Sequence, residues 1–177
     1  MKASALRAAA SGALALALSG CGLFAADAPP QACPDAVILA DAKRVILYRD
    51  GPGRDLTDVE FEGEIARIAG TCQYGKRELT VTVVADLVAT RGPAAPAAEA
   101  NLPFFVAITD EARNIVAKKV FDSAIPVPRG QRRAGVREEI EQVIPLPEGE
   151  PIPYYEIVVG FQLTPEQLER NRRARAN

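Results

Sequence analysis

Alternation of apolar and polar residues along 59–87 constrains the fold of this chain more than any other feature. In its first half, Val59, Phe61, Gly63 and Ile65 alternate with Glu60, Glu62, Glu64 and Ala66. After a turn at 74–77, alternation resumes from Leu79 to Leu87. A period of two is typical of a strand with one buried face. The sequence therefore predicts a long β-hairpin with Cys72 near its tip.

Further short segments also have the composition of strands. Residues 136–146 fit either a helix or a strand, and their β-branched content together with Pro145 favours a strand. The other candidate strands are 37–39, 45–48, 104–109, 115–121 and 154–163. About seven or eight strands separated by turn signals predict an all-β, immunoglobulin/fibronectin-III-like β-sandwich. Of the adjacent Tyr154 and Tyr155, alternation requires one to face inward.

Proline and small residues predict strand ends and one long connection. Residues 125–128 and 144–147 both have an Ile-Pro-x-Pro sequence. Because proline cannot donate to a sheet, both segments are expected to form edges or strand ends. Residues 91–102 are rich in alanine and proline, and their bland side chains predict a solvated spacer between two strands.

The C-terminal segment predicts a short helix. Thr164 suits the N-cap, Pro165 the first turn, and Gln167 completes a capping box. The arginines that follow are Arg170, Arg172, Arg173 and Arg175. They are candidates for contact with anionic lipid headgroups or an acidic partner. The alternative is a frayed, solvated terminus.

The first residues have the three parts of a secretory signal. Lys2 and Arg7 precede an apolar run that ends at Leu18, and this run is shorter than the roughly 20 residues that span a bilayer. Leu18-Ser19-Gly20-Cys21 resembles the lipobox of bacterial lipoproteins. That resemblance implies cleavage before Cys21 and acylation of its thiol, palmitate included. Gly22, which is not aspartate, implies the outer membrane, with the domain facing the periplasm.

Residues 51–58 and 159–168 are similar to an uncharacterised group of small envelope lipoproteins, from which no activity can be transferred. The resulting division is a lipoprotein signal peptide at 1–20, a tether at 21–32, the β-sandwich domain at 33–163 and the arginine-rich helix or tail at 164–177. Removing the first 20 of 177 residues leaves 157, enough for one domain.

The charge and the cysteines of this mature chain limit its partners. It carries 19 basic and 23 acidic residues, a formal charge of −4, so no nucleic-acid partner is expected. With Cys21 acylated, Cys33 and Cys72 remain, and in an oxidising envelope they are expected to form a disulfide. Two free buried thiols are the alternative.

Several kinds of catalytic site are excluded by composition. The chain has no histidine, and Ser123 is the only serine after residue 20. Catalytic triads and histidine-rich zinc sites are therefore excluded, and we expect no metal and no cofactor beyond the covalent lipid. The segment 51–54 lacks the lysine and hydroxyl of a phosphate-binding loop. Acidic side chains on one strand face are expected to be solvated.

The sequence thus favours a non-enzymatic binding or scaffolding module, anchored in the membrane and holding an envelope protein or the cell wall. One alternative is a carboxylate-based cell-wall enzyme, which would use two glutamates about 5 to 10 Å apart. The candidate glutamates are Glu60, Glu62, Glu64, Glu138 and Glu139. The other alternative is a structural lipoprotein that contacts anionic lipid or cell wall through its arginine-rich tail.

Overall fold

The computed structural model describes residues 32–146 and 154–176. The predicted signal peptide, Cys21 and the tether up to residue 31 lie outside the described residues. The strands are β1 (Asp35–Ile38), β2 (Arg44–Tyr48), β3 (Val59–Tyr74), β4 (Glu78–Arg91), β5 (Glu99–Asn101), β6 (Phe104–Asp110), β7 (Ile115–Phe121), β8 (Ala124–Pro126), β9 (Arg133–Pro145) and β10 (Tyr155–Phe161). Short 3-10 segments cover Ala40–Ala42 and Leu56–Asp58, and helix α1 covers Pro165–Ala176.

The strands form two four-stranded sheets and one short ribbon. Sheet A has the order β1-β10-β6-β7, sheet B the order β2-β3-β4-β9, and β5 pairs with β8. All pairings are antiparallel except that of β1 with β10. The predicted all-β sandwich with a single short C-terminal helix is confirmed. The described residues contain ten strands rather than seven or eight, because the three-residue β5 and β8 pair as well.

The predicted long hairpin is β3 with β4, and its tip lies at residues 75–77. A bulge between Ile65 and Arg67 shifts the alternation of β3 halfway along the strand. β9 pairs with nearly the whole length of β4, so the stretch at 136–146 is a strand, as its β-branched content predicted. The two hairpin strands β3 and β4 are therefore the central strands of sheet B, and each is paired on both sides.

The hydrophobic core lies between the inner faces of the two sheets. β4 contributes every second residue from Leu79 to Ala89, all of them buried. The inner face of sheet A contributes Phe104, Val106, Ile108, Ile157, Val159 and Phe161. The ribbon closes one side of this core, since Leu102 and Ile125 are fully buried there. Of the tyrosine pair, Tyr155 is the buried member, as alternation required.

The segment at 91–102 is solvated in its middle, at 96–99, as predicted, but both of its ends are bound to the domain. The amides of Gly92 and Ala94 donate to the carbonyls of Glu60 and Val59, at 2.7 and 2.9 Å. The Arg91 guanidinium donates to the Val127 carbonyl. The segment then continues into β5 and the buried Leu102. Only Gly92 lies against backbone, since a Cβ atom there would lie 2.1 Å from the Val59 carbonyl oxygen, whereas Pro93, Pro96, Ala97 and Ala98 are exposed.

Cys33 and Cys72 form the disulfide that their number predicted, which excludes two free thiols. The bond connects Cys33, two residues before β1 of sheet A, to the far end of β3, in sheet B. Beside it, the Tyr74 hydroxyl donates to the Ala32 carbonyl at 2.8 Å. The disulfide therefore fixes the start of the domain to the tip region of the long hairpin.

Candidate functional site

The outer face of sheet B is polar and internally neutralised. Glu64 on β3 forms ion pairs with three cations: Lys43 at 3.7 Å, Arg44 at 3.3 Å and Arg133 at 3.5 Å. Asp86 on β4 lies between Arg67 at 2.9 Å and Arg137 at 2.7 Å. Such exposed pairs add little stability, but they neutralise the Glu64 and Asp86 carboxylates. The face behaves as an ordinary solvated surface.

Asp86 makes stability depend on pH in a defined direction. Hydrogen bonding from Arg137, with a further contribution from Arg67, lowers the pKa of the Asp86 carboxyl below its usual 3.8. A pKa lowered by folding adds stability above the unfolded value, which is lost as the pH falls through the folded value. We expect Asp86→Asn to unfold at lower urea than wild type at neutral pH, with the difference shrinking below about pH 4. Glu139→Gln, on the same face, is the control, and a difference that stays constant with pH would contradict the assignment.

The outer face of sheet A, by contrast, holds an apolar groove of about 630 Å³. Phe105 and Ala107 of β6 and Val158 of β10 line it, and Val37 and Leu39 lie along the β1 side. Further apolar lining residues are Ala42, Ile115, Leu163 and Leu168. We call this surface the sheet A groove. It lies on the opposite side of sheet A from the core.

Two local features shape the groove. Gly160 of β10 lets Ala42 and Phe105 pack directly against the sheet, because a Cβ atom there would lie 2.8 Å from the Ala42 Cβ and 2.9 Å from Cζ of Phe105. The Lys118 ammonium of β7 lies 4.3 Å from the centre of the Phe105 ring. Arg113, in the β6–β7 turn, and Glu156 add charge at the rim. The groove thus combines an apolar floor with ionisable groups at its border.

Most arginines of helix α1 contact other side chains of this chain. Arg170 lies 4.8 Å from the centre of the Tyr48 ring and pairs with Glu166 at 2.9 Å. Arg172 pairs with Glu169 at 2.9 Å and with Asp41 at 3.6 Å, and Arg175 also pairs with Asp41. Arg173 is exposed and makes no ion pair with the residues that the structure describes. The structure therefore brings three of the four predicted arginines onto the protein's own surface.

The same helix covers an edge of sheet B. The predicted capping box forms: the Thr164 amide donates to the Gln167 side chain at 2.8 Å, and the Gln167 amide donates to Thr164 Oγ1 at 3.2 Å. Further along, the Gln167 and Asn171 side-chain amides donate to the β2 carbonyls of Ile46 and Arg44, at 3.4 and 2.7 Å. Helix α1 thus satisfies backbone acceptors that an edge strand would otherwise present to another strand.

The five candidate glutamates do not share one surface. Glu138 is on the inner face of β9 and accepts a hydrogen bond of 2.6 Å from the buried Ser123. Glu139 is on the outer face of the same strand, as are Glu60, Glu62 and Glu64 on β3, so Glu138 does not lie beside any of them. Glu64 is engaged with its three cations. Within the described ranges, no cluster of acidic or cysteine side chains could hold a metal ion.

Of the exposed aromatic residues, Tyr154 donates its hydroxyl to Asp35 at 3.0 Å, which joins the start of β10 to β1. No helix within the described residues has the length and apolar character needed to cross a membrane. Sequence reasoning did not single out the residues of the sheet A groove. Comparison of the chain with family models, with curated proteins and with solved structures gives no match. The geometry of the two outer faces therefore carries the functional argument.

Proposed function

We propose that this protein is a membrane-anchored envelope lipoprotein that acts as a non-enzymatic binding module, with the sheet A groove as its binding surface. Acylation of Cys21 would hold it at the outer membrane, facing the periplasm. The observation that supports binding is the contrast between the two outer faces. One is covered by paired charges, and the other exposes an apolar groove.

Exposed apolar residues border the groove. Val37 and Leu39 keep 36% and 43% of their surface exposed on β1. A concave apolar surface with few polar groups at its border is the usual form of a ligand site. The ionisable side chains sit at the rim, and one of them, Lys118, is held over the Phe105 ring. This arrangement suits recognition of an apolar partner better than proton transfer.

A pair of matched valines tests this proposal. Val37 lies in the groove, and Val143 lies on the outer face of β9; both are exposed strand residues. We expect Val37→Asp to remove most of the fluorescence of an environment-sensitive apolar dye bound to the full chain, because a carboxylate disfavours apolar binding. Val143→Asp should retain it. Equal fluorescence from both variants at equal stability would overturn the groove as the binding surface.

A further inference from the structure

Strand β7 forms an open edge of sheet A. It is the last strand in the order β1-β10-β6-β7, and no strand among the described residues pairs with its other side. Six of its seven residues are exposed, including Ile115, Val116 and Val120. An edge strand presents a row of unpaired amides and carbonyls that can template another strand. The β2 edge differs, since side chains of α1 cover it.

The charges of β7 are not neutralised within the domain. Lys118 and Lys119 are adjacent, so their side chains project from opposite faces of the sheet. The first ammonium lies over the Phe105 ring, at 4.3 Å, and the second over the Phe121 ring, at 5.2 Å. Neither makes an ion pair with a residue that the structure describes. The middle of the open edge is thus positive on both faces, and apolar residues flank it.

We propose that β7 binds an extended segment of another protein by β-strand addition, and that this segment carries adjacent acidic residues between apolar ones. Its acidic side chains would lie opposite Lys118 and Lys119, and its apolar side chains would lie beside Ile115 and Val120. Backbone hydrogen bonds supply affinity in this mode, and alternate side chains supply specificity. The inference rests on the proposed binding function and names its partner class.

A second copy of this chain fits the edge poorly. In an antiparallel pair of β7 strands, the central lysines of the two copies would face each other, and like charges opposite one another are destabilising. The same lysines attract acids. Ile115 and Lys118 also line the sheet A groove, so an added strand would extend the groove floor. Charge complementarity and this continuity both favour a foreign acidic strand.

Two synthetic peptides of the length of β7 test the proposal on the purified full chain. One has two central glutamates flanked by valine and threonine, and the other has lysines in place of the glutamates. We expect only the acidic peptide to bind in fluorescence anisotropy, more weakly as salt rises. Backbone amides of β7 should exchange more slowly in its presence. Absence of binding, or binding that leaves β7 exchange unchanged, would overturn strand addition.

Charge reversal provides the variant test. The double substitution Lys118→Glu and Lys119→Glu should weaken binding of the acidic peptide by about tenfold or more. The peptide with lysines should then bind more tightly than the acidic one. Lys76→Glu, at an exposed turn, is the control and should change neither affinity. A similar loss in both variants would indicate a nonspecific charge effect and overturn the proposal. The dye assay tests binding in the sheet A groove, and the peptide assays test binding at the β7 edge. Either proposal can therefore be overturned while the other stands.

Discussion

Phe104→Ala is expected to lower the free energy of unfolding by about 3 to 5 kcal/mol, the usual range for removing a buried phenylalanine. The side chain is 1% exposed on the inner face of β6. Truncation removes apolar burial and leaves a cavity between the two sheets, where Val106 and Phe161 cannot fully collapse onto it. Urea unfolding followed by circular dichroism measures the change.

Phe121 is the natural comparison for this substitution. Its ring stacks on that of Phe104 with centroids 5.5 Å apart, but it lies on the edge strand and is only half-buried. Phe121→Ala should therefore lower the free energy of unfolding by clearly less than Phe104→Ala does. The double variant should show a coupling of about 0.5 to 1.5 kcal/mol, the range for aromatic pairs. Equal losses in the two single variants would show that Phe104 is not the central residue of the core.

Removing the disulfide is expected to lower the free energy of unfolding by about as much as Phe104→Ala does. Cys33 and Cys72 are 39 residues apart, and a loop of this length is worth about 4 kcal/mol in the chain-entropy account. We expect the double substitution Cys33→Ala and Cys72→Ala to lower the free energy of unfolding by about that amount. Urea unfolding without a reducing agent measures it.

Reduction provides the control for the disulfide prediction. A reducing agent should destabilise the wild-type chain to the same extent and leave the double variant unchanged. Because β1 begins just after Cys33, its amides should become the least protected from hydrogen exchange in the double variant. A wild-type chain that is indifferent to reductant would contradict the stabilising role of this bond.

The strands could be predicted because their signal is local. Period-two alternation located β3, β4 and β10, and turn residues separated β6 from β7. The short β5 and β8 could not be predicted, since three residues are too few for a period. Pro126 predicted only an edge or a strand end, and it is the last residue of β8. The bulge at Ile65 also has no local signal, because it depends on the pairing of β3 with β4.

The sheet A groove was beyond prediction for a different reason. Its residues come from β1, β6, β10 and α1, which are distant in the sequence, and only the strand order brings them together. One clue was present: Phe104 to Ile108 is an uninterrupted apolar run, typical of a strand buried on both faces.

The arginines of α1 show the reverse case. Their number indicated an external partner, whereas Tyr48 and Asp41 engage most of them at short range.

The cover that α1 places over β2 has a consequence for the order of folding. β2 is among the first strands to emerge during synthesis, whereas α1 follows every strand of the domain in the sequence. The carbonyls of Arg44 and Ile46 must therefore wait for Asn171 and Gln167, however early sheet B assembles. During that interval the β2 edge is open to pairing with another strand, as the β7 edge is in the folded domain. A chaperone that binds open strand edges would protect the nascent chain most effectively in that interval, until the helix docks.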